Sequence, residues 1–380
     1  MEIVWNVEFG FWNFSMSVIL FIVILAVLIL FHELGHFLAA RSVGARVDEF
    51  GIGFPPRAWA FRPKGSETEY SINWIPFGGF VRILGENGLD EMDEADKPRS
   101  LTSKNRLAQA WVLCAGVLFN VLIGWIFLSI AFMSGVPTSV APDTHGLVGA
   151  PEVTILQALE KTPASEAGFE SGDIVRAMSR AGDVTETIPQ SVADVQDFIA
   201  SSAGIPLTFT VERGDIVKSL TVTPEINDQH KGIIGVSLDL IGTIKLSPFE
   251  AGVEGARMTG RFLVSIAQGL GGFVRDAFSG TADYSQVSGP VGIVGMVGSV
   301  SSQGFIALLS FAAIISLNLA IINLVPFPAL DGGRILFIII EAITRKPLPV
   351  RVTQWANIIG FGILILLMIL ITVNDVINLF

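Results

Sequence analysis

Four long runs of apolar residues determine how the chain is organised. About 20 apolar residues in a helix, at ~1.5 Å rise per residue, cross the hydrocarbon core of a bilayer. Each run therefore predicts a transmembrane helix. The predicted spans are Phe14–Ala39, Leu107–Met133, Phe305–Leu324 and Trp355–Leu379.

Basic residues flank these runs on one side of the predicted membrane. Arg41 follows the first run, Lys104 precedes the second, and Arg345 lies between the third and the fourth. By the positive-inside rule these connections face the cytoplasm, and both termini and residues 135–303 face outward. The segment before Phe14 carries no Lys or Arg, so the pattern favours a retained anchor over a signal peptide.

Residues 46–84 do not form a fifth span, because glycines and prolines interrupt them. Val47–Phe54 and Tyr70–Ile75 alternate as strands do and are rich in aromatic residues. The pattern predicts a membrane-associated β-hairpin within a cytoplasmic or re-entrant segment, 46–106, that also holds the acidic loop 86–96. Two interpretations remain open. The hairpin packs on the helices, or its edge pairs with an extended substrate.

The chain becomes soluble in character after the second span. Residues 146–226 alternate short strands with helical stretches such as Val192–Ala200, and residues 164–173 read A-x-x-A-G-F-x-x-G-D. This stretch resembles a PDZ domain, which implies that it binds an extended chain end by strand addition. Gly146–Gly149 is the candidate binding loop, and a lid or spacer without a ligand is the alternative. Residues 227–303 are predicted to be a linker with an amphipathic helix.

Composition agrees with a membrane protein and excludes several other classes. Hydrophobic residues make up 51% of the chain, and the mean hydropathy is +0.61. Both values are too high for an ordinary soluble protein. The net charge of −11, without a basic block, argues against nucleic acid as a partner. The single cysteine, Cys114, cannot form an internal disulfide.

The sequence His32-Glu33-Leu34-Gly35-His36 lies near the end of the first predicted span. Positions i and i+4 of a helix share a face, so the two imidazoles can bind one metal ion. Glu33 can then take a proton from a water on that ion, as in zinc peptidases with the H-E-x-x-H motif. Burying three polar groups in lipid costs several kcal/mol without compensation, which favours a zinc site over packed core histidines.

A catalytic zinc normally has three protein ligands. The other two histidines lie in the predicted soluble segment, so the third ligand should be a carboxylate from Asp331, Glu341 or Asp375. Asp331 is favoured because two prolines and a glycine pair break the helix within Asn323–Arg334. Broken backbone at membrane depth is tolerated only where it lines protein or a water-filled cavity. A solvated aspartate in a cytoplasmic turn is the alternative.

Taken together, H-E-L-G-H, the later N-x-x-P-x-P-x-L-D-G-G and the inserted PDZ-like stretch resemble the site-2 protease family of intramembrane zinc metalloproteases. The closest resemblance is to its bacterial branch, of the regulator-of-sigma-E protease type, and Ile75–Gly79 and Ser288–Ile293 also look like that branch. Its best-studied members carry two PDZ domains, whereas this chain has room for one. The resemblance implies that His32, His36 and Asp331 are zinc ligands. It also implies that Glu33 is the catalytic base and that Asn318 and Asn323 bind the substrate.

The resemblance also implies an architecture and a location. The expected fold is a mainly α membrane protein with four transmembrane helices, a membrane-associated β-hairpin and an inserted α+β PDZ-like domain. The expected location is the bacterial inner (cytoplasmic) membrane, with the active site toward the cytoplasm and the PDZ-like domain outside. The predicted segments are 1–45, 46–106, 107–134, 146–226, 227–303 and 304–380.

The implied function is hydrolysis, with Zn²⁺ as cofactor, of peptide bonds within transmembrane segments. The expected partners are transmembrane substrates of the anti-sigma-factor or signal-peptide-remnant type, together with the lipid bilayer. Two other functions are weighed against this one: an inactive membrane-anchored PDZ adaptor and a metal transporter. Glu33 argues against the adaptor, which needs no base. The single cluster of membrane ligands argues against a transporter, which would repeat them along a pathway.

Overall fold

The computed structural model describes residues 2–86, 93–140, 144–159, 161–183, 185–214, 216–227, 231–281 and 288–377, and their side chains from Ser15 onward apart from Pro76 and Phe77. Residues 87–92 of the predicted acidic loop lie outside these ranges. The chain forms two compact units, 1–131 with 248–380 and 132–247.

The helices and strands are numbered in chain order. The helices are α1 (Glu2–Ser42), α2 (Arg106–Ser134), α3 (Pro163–Glu166), α4 (Val192–Ala200), α5 (Pro248–Ser279), α6 (Pro290–Ser301), α7 (Phe305–Leu324), α8 (Asp331–Thr344) and α9 (Val350–Ile377). The strands are β1 (Val47–Phe61), β2 (Glu69–Ile83), β3 (Val136–Ser139), β4 (Leu147–Ala158), β5 (Ile174–Arg180), β6 (Leu207–Arg213), β7 (Ile216–Val222), β8 (Glu225–Ile226), β9 (Gly232–Ile233) and β10 (Val236–Ile244).

Four helices of the described chain are long and apolar enough to cross a bilayer: Ser15–Ser42 of α1, all of α2, α7 and α9. They lie where the four apolar runs predicted them, although α9 begins at Val350 rather than Trp355. Helix α6 is also apolar, but its 12 residues are too short to span. The mainly helical character of this unit therefore agrees with the prediction from hydropathy.

The first unit is held together by small and aliphatic side chains. Leu28 of α1 is completely buried against Ile123 of α2, Val297 of α6 and Ala312 of α7. The start of α6 is held by Asp375 of α9, whose carboxylate accepts hydrogen bonds from the amides of Gly289 and Gly292 at 3.0 and 2.8 Å. These are amide groups that a helix N-terminus leaves without an intrahelical partner.

The β-hairpin of the first unit is folded over on itself. The beginning of β1 pairs on one side with residues 79–83 of β2 and on the other with residues 69–72, while the end of β1 pairs with residues 70–73. Two strands therefore make a sheet of four segments, in which residues 79–83 form an outer edge. Trp59 and Trp74 of this hairpin are largely exposed, as suits a surface against lipid.

The second unit contains an antiparallel sheet with the strand order β3-β10-β4-β5-β6-β7. Its core contains Ile155, Met178 and Phe209 of the sheet and Val195 of α4. The sheet is wider than the predicted domain, 146–226, because strands from both flanking segments join it.

The aspartate that ends the A-x-x-A-G-F-x-x-G-D sequence forms a buried ion pair in this unit. Asp173 is fully buried, accepts from the backbone amide of Glu170 at 3.0 Å, and accepts from Arg213 Nε at 2.6 Å. A buried carboxylate is tolerated only when it is paired and hydrogen-bonded in this way. The aspartate therefore joins the turn before β5 to the end of β6.

Gly146–Gly149, the candidate binding loop, is largely strand in the structure. Leu147 and Val148 begin β4 and pair with Ile244 and Thr243 of β10. This pairing occupies one side of β4, and within the described residues β5 pairs with the other side only at Thr154. A role for this segment in binding a chain end stays a prediction.

Candidate metal centre

Helix α1 brings the two histidines of the H-E-L-G-H sequence onto one face. His32 and His36 are both buried, and their ring centroids lie 4.7 Å apart in an edge-to-face arrangement. The two Nε2 atoms are 3.1 Å apart. The i and i+4 spacing thus places two nitrogen atoms where one ion can reach both.

The break between α7 and α8 supplies the third group. Helix α7 ends at Leu324, and α8 begins at Asp331, whose Oδ2 lies 3.1 Å from His32 Nε2 and 3.3 Å from His36 Nε2. The glycine pair that follows is required by close packing. A Cβ on Gly332 would lie 2.5 Å from the carbonyl carbon of Leu324, and one on Gly333 would meet the preceding turn equally closely.

These three atoms have the spacing of a zinc site. With metal–ligand bonds of about 2.0–2.1 Å in tetrahedral geometry, ligand atoms lie roughly 3.3 Å apart, and the three measured separations are 3.1, 3.1 and 3.3 Å. Within the described part of the chain, Asp331 Oδ2 is buried without a hydrogen-bond partner, which is unfavourable unless a cation neutralises it. Two imidazoles and a carboxylate are also a ligand set that catalytic zinc takes.

Helix α2 contacts the Nδ1 atoms of both histidines. His36 Nδ1 lies 2.8 Å from the backbone carbonyl of Val112, so Nδ1 carries the proton and Nε2 presents its lone pair to the centre. His32 Nδ1 lies 3.2 Å from the side-chain amide of Asn120. Gly116 lies between these two contacts on α2, directly beneath both rings.

The metal-binding atoms line a cavity of about 190 Å³. Glu33 also lines it, and its carboxylate accepts a hydrogen bond from the backbone amide of Val81 in β2. Arg334, in the first turn of α8, forms an ion pair with Glu86 at another side of the cavity. The base candidate is therefore in the same cavity as the three ligand atoms, next to the outer edge of the hairpin.

The other two carboxylates considered as ligands form hydrogen bonds to backbone amides instead. Glu341 accepts a hydrogen bond from the backbone amide of Leu348 at 2.8 Å, and Asp375 holds the start of α6. The metal-ligating cluster of the described residues contains Asp331 instead.

Asn318 donates to the carbonyl of Ile314 in its own helix, and neither it nor Asn323 lines the cavity. A role for the two asparagines in substrate binding stays a prediction.

Three contacts from α2, those of Val112, Gly116 and Asn120, were not foreseen from the sequence. A backbone carbonyl and a glycine within an apolar run do not stand out in the sequence. The hydropathy of α2 is uniform, so it does not show which face of this helix packs against α1. Asn120 did carry one, since it is a polar residue in the middle of a predicted span. Such residues usually have a partner inside the bundle.

Gly116→Ala is expected to weaken zinc binding by about 10–100-fold, the size seen when groups supporting a ligand are lost. A Cβ at this position would lie 2.7 Å from His32 Cε1 and 2.8 Å from His36 Cε1, so the rings would have to move. Zinc affinity measured by chelator competition tests this. Gly362→Ala is the matched control, because a Cβ there has open space around it in another apolar helix. Equal zinc affinities in the two variants would contradict the proposed crowding.

The geometry defines a class of protein: a membrane metallopeptidase of the H-E-x-x-H type. Comparison with known sequences gives the family. The profile of Peptidase family M50 matches residues 20–367. The chain therefore belongs to peptidase family M50, and it is a zinc metalloprotease.

Relatives cover almost the whole chain. A protein of Nostoc sp. is 36% identical over 365 residues, which are 95% of this chain and 96% of that protein. The zinc metalloprotease RasP of Geobacillus kaustophilus is 30% identical, with 95% of this chain and 97% of RasP covered. The chloroplastic membrane metalloprotease ARASP of Arabidopsis thaliana is 32% identical and is covered over 79% of its length.

A solved PDZ domain, that of the SdrC-like protein of Listeria monocytogenes, is similar to part of the chain. The match covers 24% of this chain and 90% of that domain, at 19% identity and a TM-score of 0.21. These values are too low to support an argument about the second unit, which is described by its own strands and helices.

Proposed function

We propose that this protein is an intramembrane zinc endopeptidase that hydrolyses peptide bonds within transmembrane segments of other proteins. The observation that carries the proposal is the triangle of His32 Nε2, His36 Nε2 and Asp331 Oδ2, with Glu33 in the same cavity. The two histidines lie within a candidate membrane span. A peptidase centre at that depth suits a substrate that is itself in the membrane.

The three ligand residues hold the ion, and Glu33 moves the protons. A zinc ion held there would supply a bound water with a pKa near ~7 and a Lewis acid for the scissile carbonyl. Glu33 takes the proton of the attacking water and later gives it to the leaving amine nitrogen. Asn318 and Asn323 are proposed to bind the substrate backbone near the break between α7 and α8, and Asn318 could donate to the developing oxyanion only after leaving the carbonyl of Ile314.

The hairpin edge is proposed to receive the substrate. A transmembrane helix hides its carbonyls in i→i−4 hydrogen bonds, so the scissile region must unwind before water can attack. Residues 79–83 form an outer edge of the folded hairpin, and Phe80, Val81 and Ile83 line the cavity. An unwound segment paired along this edge would lie beside Glu33 and the ligand atoms.

The experiment that tests the proposal is cleavage of a single-pass membrane protein by the purified chain in lipid vesicles. Cleavage should stop when a zinc chelator is added and return when zinc is restored. It should occur within the transmembrane segment, which mass spectrometry of the products locates. No cleavage with zinc bound would favour the adaptor, and zinc flux across the vesicles without cleavage would favour the transporter.

The second unit is proposed to bind the end of a peptide chain. Strand β10 pairs with β4 along one side, and on the other side, within the described residues, β3 covers only Ile241–Ile244. The carbonyl of Leu240 faces the β3 side, because it accepts from the amide of Val140. Backbone groups alternate along a strand, so Val236 and Leu238 direct theirs to the same, uncovered side. Helix α4 packs on the same core as these residues, and together they form a groove suited to strand addition.

Leu238→Pro is expected to reduce peptide binding by about fivefold, because one lost hydrogen bond is worth roughly 1 kcal/mol and about 1.4 kcal/mol corresponds to tenfold. Fluorescence anisotropy of the full chain with a short peptide ending in apolar residues and a free carboxylate measures this. Leu238→Val keeps the amide and is the control variant. If both variants bind the peptide as the wild type does, the groove is not the binding site.

The proposed location is a bacterial inner membrane, with the hairpin and the start of α8 on the cytoplasmic side and the second unit outside. The basic residues between the first and second and between the third and fourth spans support this orientation. The proposed substrates are of the anti-sigma-factor or signal-peptide-remnant type, as the resemblance of the sequence implies.

A further inference from the structure

Asn120 is a buried polar residue whose own hydrogen bonds are incomplete. Its side chain is fully buried on α2, and its Nδ2 lies 3.2 Å from His32 Nδ1. Its Oδ1 is buried and has no hydrogen-bond partner among the residues that the structure describes. A buried amide oxygen without a donor costs about 1–3 kcal/mol, so its presence beside a metal ligand requires a reason.

The protonation of His32 gives that reason. A neutral imidazole carries one N–H and one lone pair, so His32 can bind zinc through Nε2 only if Nδ1 holds the proton. The Nδ1–H then needs an acceptor. For His36 the carbonyl of Val112 is that acceptor, at 2.8 Å. For His32, the side-chain amide of Asn120 is the group at hydrogen-bond distance from Nδ1 among the described residues.

The two ends of a carboxamide are the same size, so a half-turn of the Asn120 amide exchanges them without moving the helix. With Oδ1 toward His32, the unpaired oxygen gains a donor and Nδ1–H gains an acceptor. With Nδ2 toward His32, the imidazole proton is displaced to Nε2, where it points at the other two ligand atoms. Only the first arrangement is compatible with a metal at Nε2.

We propose that Asn120 is a positioning residue that accepts the Nδ1 proton of His32 and so keeps Nε2 free for the zinc. The proposal rests on the ligand set assigned under the proposed function. It gives the two histidines matching supports from the same helix, a backbone carbonyl for His36 and a side-chain oxygen for His32. Such partners of metal-binding histidines typically change metal affinity by 10–100-fold when they are lost.

The test compares zinc affinity among variants of the full chain in detergent, by competition with a chromophoric chelator. Asn120→Leu keeps the size of the side chain and removes the acceptor, so zinc binding should weaken by about 10–100-fold. Asn120→Asp keeps an acceptor oxygen and should restore near wild-type binding. Ser316→Ala is the matched control, because it removes a buried 2.8 Å hydrogen bond to the backbone carbonyl of the same residue without touching His32.

Each outcome decides the proposal. If Asn120 acts in packing alone, Asn120→Leu, Asn120→Asp and Ser316→Ala will all lower the unfolding temperature without lowering the zinc affinity of the folded protein. That result would overturn the proposed positioning role. If Asn120→Leu does not fold, Asn120→Ala removes the same oxygen without bulk and should also lose affinity. If the wild type binds no zinc, the ligand set itself fails. If the wild type binds zinc and neither Asn120 variant differs from it, only the role of Asn120 fails.

Discussion

Glu33→Gln is expected to abolish peptide-bond cleavage while the zinc stays bound. Glutamine has nearly the shape of glutamate and still offers an oxygen to the amide of Val81, but it cannot take a proton from water. General-base catalysis contributes about 10²–10⁴-fold, so cleavage should fall by at least that factor. The measurements are the rate of cleavage of a single-pass substrate in vesicles and the zinc content of the same preparation.

Glu49→Gln is the control for this prediction. Glu49 is also a buried carboxylate of the first unit, but it binds Ser71 at 2.6 Å and Arg57 at 2.8 Å within the hairpin and does not line the cavity. This variant is expected to lose stability and to cleave at a similar rate per folded molecule. A folded Glu33→Gln protein with wild-type activity would show that another group serves as the base.

Asp331→Asn is expected to remove the zinc itself, together with all activity. The wild type should hold about one zinc per chain, since three protein ligands and a water complete a catalytic site. Asparagine keeps the size of the side chain but replaces the charged ligand atom with a neutral amide. The affinity loss should exceed the 10–100-fold typical of groups that merely support a ligand. Elemental analysis after dialysis against a weak chelator measures it.

Asp375→Asn is the matched control for Asp331→Asn. Both aspartates are at least half-buried, but Asp375 lies in α9 and binds the amides at the start of α6 rather than the histidines. Its variant should keep its zinc and lose helical order at the start of α6, at a cost of about 1–2 kcal/mol of stability, as for other lost helix caps. If the zinc were lost from both variants alike, the assignment of Asp331 as a ligand would be wrong.

The candidate metal ligands could be predicted because burying their polar groups at these positions is unfavourable. Placing two histidines within an apolar run, and an aspartate beside a broken helix, is energetically unfavourable in lipid unless these groups bind something. The structure brings His32, His36 and Asp331 together as expected from that argument. The hairpin could also be predicted, since its alternation and its turn are local features of the sequence.

The supports of the site could not be predicted in the same way. Which face of α2 meets α1 depends on how whole helices pack, and Gly116 and Val112 look like any other residues of an apolar run. The candidate binding loop of the second unit, Gly146–Gly149, shows the same difficulty. Its G-x-x-G sequence suggests a loop, and only the pairing of β4 with β10 shows that it is largely strand. That pairing joins Leu147 and Val148 to residues about 95 positions later in the chain, which no local pattern reveals.

The candidate metal centre joins distant parts of the chain, since its histidines come from α1 and its aspartate from α8. During synthesis the ribosome makes the histidines about 300 residues before the aspartate. A nascent or truncated chain that lacks α8 therefore has the H-E-L-G-H helix but lacks the candidate third ligand. We expect such a chain to hold zinc weakly and to have no proteolytic activity.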